Sequence, residues 1–159
     1  MDREVTPPAD NPGVIVLPPL LYGTAFLMAL VLHWRWPMRI FDSAAAPWLS
    51  LVPFLLGLVV DIRGIRAMKA AGTNVDPSRP ATAIVTSGPF RFSRNPLYLG
   101  MTLFYGGLTL AIDSWWGFLM LIPVLAVMHW GVILREERYL ERKFGEPYRQ
   151  YRSKVRRYF

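Results

Sequence analysis

The chain has 159 residues, 53% of them hydrophobic and 14% aromatic, with a mean hydropathy of +0.26 and a formal net charge of +7. Such apolar content exceeds that of a water-soluble domain of this length and points to a bilayer. The absence of cysteine excludes disulfides, thiolate metal sites and a cysteine nucleophile.

The opening stretch MDREVTPPADNPG has no basic segment beside a short apolar core and no small-residue cleavage site. It does not read as a removable signal peptide, so the first apolar run is expected to be retained. A membrane crossing needs roughly 20 mostly apolar residues. Four runs are candidates, at 14–32, 44–60, 97–112 and 115–134. The first two contain no charged residue. The last two are separated only by Asp113 and Ser114 and predict a tight antiparallel hairpin. Pro18, Pro19, Pro53 and Pro123 fall within runs, where neighbouring groups can satisfy the carbonyls a proline frees. The expected fold is an all-α integral membrane protein: one membrane domain over 1–159, about four transmembrane helices, a connecting segment at 61–96 and a C-terminal helical segment at 135–159.

Charge orients this arrangement. Nine of the 18 Lys and Arg residues lie between Arg135 and Arg157 and six between Arg63 and Arg94, while the Asp113 turn carries none. The positive-inside rule therefore places 61–96 and 135–159 in the cytoplasm, with both termini there, at an inner or plasma membrane. The basic excess suits contact with anionic membrane lipids. It flanks apolar runs and accompanies no nucleic-acid motif, so nucleic acid is not an expected partner.

Polar chemistry gathers in two segments that abut the same ends of the third and fourth runs. The first is SGPFRFSRNPLYLG, 87–100. Gly88 and Pro89 make a turn, and Pro96 suits the first position of a helix capped by Asn95. Such a helix start offers free backbone donors and a positive dipole end to a carboxylate, and Arg94 adds a guanidinium fork. The alternative is that Arg91 and Arg94 only reach toward lipid phosphates. The second segment is HWGVILREERYLERKFGEPYRQY, 129–151. Helical spacing puts His129 and Glu136 on one face, with Glu137, Leu140, Glu141 and Phe144 nearby. An ionisable side chain about 8 Å inside a span, as His129 is, marks a functional cavity by default; its alternative is a neutral histidine bonded to a neighbouring helix. The Glu136–Glu137 pair beside Arg135 and Arg138 reads either as a solvated face or as partners for a cationic ligand bearing hydroxyls and an amino group. Gly145 and Pro147 separate a further short helix carrying Tyr148 and Tyr151, whose rings suit an adenine or a sulfonium, or else a headgroup belt. No G-x-G-x-x-G and no Walker loop is present, which excludes a soluble Rossmann-type cofactor domain. His33 and His129 fall at opposite membrane faces, so no metal site is expected.

Together, AGTNVDPSRPATAIVTSGPFRFSRNPLYLG and REERYLERKFGEPYRQY, within 71–159, resemble the isoprenylcysteine carboxyl methyltransferase and phospholipid N-methyltransferase superfamily. That family carries a Gly-Pro-aromatic-Arg turn, an Arg-His-Pro-x-Tyr stretch, a helical hairpin, and a Glu-Glu pair followed by Phe-Gly and spaced tyrosines. Asn95 stands where many members have histidine, which weakens any assignment to prenylcysteine substrates. The resemblance implies an S-adenosylmethionine-dependent methyltransferase of EC class 2.1.1, acting on a lipid-like or hydrophobic substrate at the cytoplasmic interface, with 135–159 helping to hold the cofactor. It implicates Gly88, Arg94, Asn95, Pro96 and Tyr98 on one side and Glu136, Glu137 and Tyr148 on the other; His129 and Arg135 join them on position alone. Arg94, Glu137 and His129 are the candidate catalytic groups, with His129 or Glu137 accepting a proton if the acceptor is an amine. The rival readings are a sterol-reductase-like NADPH enzyme, for which Arg149, Arg152 and Lys154 could supply a phosphate cluster, and a non-enzymatic transporter or scaffold.

Overall fold

The computed structural model describes residues 10–41 and 46–158. Six α-helices occur among them: α1 (Pro18–Arg35), α2 (Ala46–Ala70), α3 (Pro96–Ala111), α4 (Trp115–Val127), α5 (Leu134–Phe144) and α6 (Glu146–Lys154). A 3-10 turn at Gly88–Arg91 precedes α3, and a π-helical segment at Met128–Ile133 joins α4 to α5 in one long rod. No strand is present among the described residues. The start of the second apolar run, at 44 and 45, and residues 1–9 of the opening stretch lie outside them.

Two helices are long and apolar enough to cross a membrane, Trp48–Ala70 and Trp115–Phe144, of 23 and 30 residues. The apolar runs predict four, and the other two fall short for different reasons. Helix α3, bounded by Pro96 and the hairpin turn, has 16 residues, about 24 Å at 1.5 Å per residue against roughly 30 Å of hydrocarbon. Helix α1 has 18, enough in length, but includes Pro18, Pro19, His33 and Arg35 and is less apolar. The outer faces are nonetheless strongly apolar: Leu20, Leu27 and Val31 of α1 and Leu55, Leu56 and Val59 of α2 are exposed, as on surfaces that meet lipid or a partner rather than water.

Helix α2 runs ten residues past the apolar segment that ends at Val60, carrying Arg63, Arg66 and Lys69 on its exposed side. Nothing interrupts it until Gly72, whose φ of 70° lets the chain turn. The Gly72 N–H bonds Lys69 O and the Thr73 N–H bonds Met68 O, a paired C-terminal cap. Helices α2 and α3 pack most extensively, and glycines make the approach possible. A Cβ on Gly57 would stand 2.5 Å from Phe104 N, and one on Gly107 would stand 2.6 Å from Phe54 N. The neighbouring Gly106 meets nothing within 4 Å. Helix α1 lies instead against α4, and Tyr22, Tyr105, Val124, Met128 and Val132 form the core between them.

The α3–α4 turn is anchored by Asp113, which adopts φ 53°, a conformation aspartate tolerates better than most residues. Its carboxylate accepts the Ile40 and Phe41 backbone N–H groups and Arg39 Nε, each at 2.9 Å. These bonds, the Phe41 one foremost, hold its carboxyl below the usual range. The Trp115 N–H and Trp116 Nε1 donate to Met38 O and Trp36 O, tying the hairpin tip to the end of α1.

Candidate functional site

Between the start of α3 and the inner face of α5 lies a cavity of about 120 Å³. Pro96 opens α3 with Asn95 in the cap position, but the Asn95 side chain makes no cap bond. Its Nδ2 donates instead to Arg157 O at 3.1 Å. Ser93 Oγ donates to the same carbonyl, and the Arg94 N–H donates to Arg156 O. The C-terminal segment thus lies directly against the 93–95 loop.

Arg94 is the centre of the arrangement. Its Nη2 lies 2.9 Å from Glu137 Oε1, with both side chains more than nine-tenths buried. Glu137 also receives Arg157, through Nη2 to Oε2 at 2.8 Å and Nε to Oε1 at 3.0 Å. Those bonds raise the Arg157 guanidinium above its ordinary value. Arg94 Nε and Nη1 are buried and have no hydrogen-bond partner among the described residues. Two such donors are costly unless something accepts from them. Beside this pair, Tyr98 Oη donates to Glu136 Oε1 at 2.7 Å. Tyr148 and Tyr151 close the cavity, both buried, their ring centroids 6.3 Å apart. Burial pushes the Tyr148 hydroxyl up to about 12 and raises that of Tyr151 as well; Tyr151 Oη donates to Phe90 O at 2.7 Å, joining α6 to the 3-10 turn.

Of the ten candidate residues, Arg94, Asn95, Pro96, Tyr98, Glu136, Glu137 and Tyr148 line this cavity, and Gly88, His129 and Arg135 do not. Gly88, at φ 59°, packs over Ala67 of α2. Exposed Arg135 donates through Nη1 to Gly13 O. His129 Nδ1 is 2.5 Å from Tyr158 Oη. The shared face read for His129 and Glu136 assumes unbroken α-helical spacing, and the π segment between them adds a residue to the turn and rotates one relative to the other. The Ile15 N–H bonds the Gly131 carbonyl within that segment.

The partner that sequence reasoning missed is Arg157. It is one of nine basic residues after the last apolar run, and no spacing sets it apart. Tyr139 was also missed: buried, it donates to Asp10 Oδ1 at 2.8 Å and accepts the Ala81 N–H, joining α5 to two distant loops.

An apolar outer surface on the long helices and a buried Arg–Glu cluster at one end fit a membrane protein with a polar site. Residues 45–147, more than half of the chain, match the phospholipid methyltransferase family, and the protein belongs to that family. An uncharacterised protein of Haemophilus influenzae is 40% identical over 62 residues, which span 39% of this chain and 98% of that protein. No solved structure matches the chain.

Proposed function

We propose that the protein is an S-adenosylmethionine-dependent methyltransferase of EC class 2.1.1, binding its cofactor in the Arg94–Glu137 cavity and methylating a hydrophobic, lipid-like substrate. The observation that carries this reading is the pair of unpartnered buried donors, Nε and Nη1 of Arg94. Arg94 lines a cavity whose other walls include Glu136, Glu137 and Tyr148. That donor set fits an amino-acid-like nucleoside cation. The free edge of Arg94 suits the carboxylate, Glu136 suits an amino or hydroxyl group, and the tyrosine face suits an adenine or a sulfonium.

The cofactor, when bound, supplies an already activated methyl group, so the chain's own task is to align and to exclude water. Glu137, whose two oxygens engage Arg94 and Arg157, holds the first guanidinium in place. Tyr98 holds Glu136. His129 stands outside the lining, and its part is the pairing with Tyr158. Basic residues clustered at 63–94 and 135–157 support a cytoplasmic site in an inner or plasma membrane, in contact with anionic lipids, with both termini on that side; α1 and α3 complete a four-helix crossing. Of the basic residues that the NADPH alternative would use, Arg149 pairs with Glu146 and Arg152 with Glu141.

The test is titration of the detergent-purified protein with S-adenosylmethionine, S-adenosylhomocysteine and NADPH, read by thermal stabilisation. Saturable stabilisation by the first two, lost in Arg94→Ala, is expected. Stabilisation by NADPH alone, or by none of the three, overturns the reading.

A further inference from the structure

Arg135, Tyr139 and Lys143 recur every four residues along α5 and so share one side of it. The chain that precedes α1 runs along that side. The Ile15 N–H bonds the Gly131 carbonyl, Arg135 Nη1 donates to Gly13 O at 2.9 Å, and Tyr139 Oη donates to Asp10 Oδ1 at 2.8 Å. Lys143 Nζ completes the series, 2.7 Å from Asp10 Oδ2. Pro12, in the middle of this stretch, lines the Arg94–Glu137 cavity. The 74–81 loop lines it too, and both segments meet at Tyr139, whose Oη accepts the Ala81 N–H while donating to Asp10. One hydroxyl thus pins two walls of the cavity.

The two ends of the stretch are held differently. Ile15 packs over Gly131, where a Cβ would clash with its side chain, and its backbone is bonded there as well. Asp10 is exposed, and its hold on α5 is a surface ion pair with one hydrogen bond beside it. Such surface pairs are individually weak. Between the ends, Gly13 has φ 64°, and a Cβ there would meet only Asn11 Oδ1, at 4.0 Å. The middle of the stretch is not packed down, and the glycine supplies a pivot.

We propose that residues 10–15 are a strap over the cofactor cavity, hinged at Gly13–Ile15 and latched by Asp10 to Tyr139 and Lys143, and that release of the latch opens the cavity to its ligand. The proposal rests on the methyltransferase reading only for what that ligand is. It gives Arg135 a task as well: standing outside the cavity lining, it anchors the hinge through Gly13 O. Because the latch is a surface contact and no part of the helix core, the strap opens without unfolding the helices beneath it.

The chain has no cysteine, so single thiols can report opening. Ala83→Cys places one on the cavity wall, and Ala29→Cys, in a separate protein, places one at a fully buried position of α1. The test is the rate at which N-ethylmaleimide modifies each in detergent. Asp10→Ala is expected to speed modification of the Ala83→Cys protein about fivefold, as loss of one exposed ion pair and one hydrogen bond warrants. Tyr139→Phe, which also frees the 74–81 loop, speeds it further. The Ala29→Cys rate stays the same throughout, and Arg149→Ala, which breaks an exposed ion pair in α6, changes neither rate. In the cysteine-free chain, Asp10→Ala speeds both association and dissociation of S-adenosylhomocysteine by a similar factor, so that Kd changes less than either rate. An unmoved Ala83→Cys rate, an equal rise in the Ala29→Cys rate, or an unchanged association rate for the analogue overturns the strap. An Asp10-dependent thiol rate in a protein that binds no analogue overturns the methyltransferase reading and leaves the strap standing.

Discussion

The two cavities are built on opposite principles. The one at the start of α3 is small and crowded with charge, and its acids are already engaged, Glu137 by two guanidiniums and Glu136 by Tyr98. A second one, between α1, α2 and α3, is about three times larger, is nearly devoid of polar groups, and leaves a carboxylate oxygen of its single acid, Asp61, unanswered among the described residues. A preorganised charged site favours ligands that match its donors in number and direction. An apolar site with one charge selects a class by hydrophobicity and sign and tolerates variation in the rest. The first therefore suits one defined cofactor.

Breaking the Arg94–Glu137 pair should give the largest effect. Arg94→Ala leaves Glu137 with the half-exposed Arg157 as partner, and removing one member of a buried ion pair costs about 3–5 kcal/mol. The melting temperature in detergent should fall by roughly 10 °C, and calorimetric titration should detect no S-adenosylhomocysteine binding. Next in size is Gly57→Leu. With a Cβ 2.5 Å from Phe104 N, α2 must move off α3, an overpacking cost of about 1–3 kcal/mol. The melting temperature should fall by a few degrees while the analogue still binds in the first cavity.

The same contrast explains what the sequence could reveal. Arg94, Asn95, Pro96, Tyr98 and the Glu136–Glu137 pair stand in two short segments rich in turn-forming and charged residues, and their proximity follows from the tight turn at Asp113, which returns α4 toward the start of α3. Gly88 was placed with them by the family resemblance, and His129 and Arg135 by position along the helix. The π segment at Met128–Ile133, which no residue pattern announces, changed the angle between His129 and Glu136. Arg157 was hidden among other basic residues because its pairing depends on the chain doubling back after α6. The second cavity was illegible for a different reason. It is an absence of atoms between helices, fixed by how closely Gly57 and Gly107 draw α2 to α3, and Asp61 read only as the first charge after an apolar run.

A smaller effect separates the hydrogen-bonding role of Tyr98 from its packing role. Tyr98→Phe keeps the ring and removes the donor to Glu136; a bond to a charged partner contributes about 1.5–3 kcal/mol, so the analogue should bind tenfold or more weakly in isothermal titration. Tyr22→Phe removes a bond on the far side of Thr102 and should leave that affinity within about twofold.

The smallest change is expected at Asp113, which lines neither cavity. Its folded carboxyl lies below the unfolded value, so the stabilisation is present above the unfolded value near 4 and is lost as pH falls through the lower folded one. Melting curves between about pH 5 and 2.5 should therefore show a downward slope that Asp113→Asn flattens, since the amide loses the ionised acceptor for Arg39 and the Ile40 and Phe41 N–H groups. At neutral pH the variant should melt slightly lower, with cofactor-analogue binding unchanged. If that binding responds, the hairpin tip is coupled through α3 to the site at its start, and the cavity there is then not set by its lining residues alone.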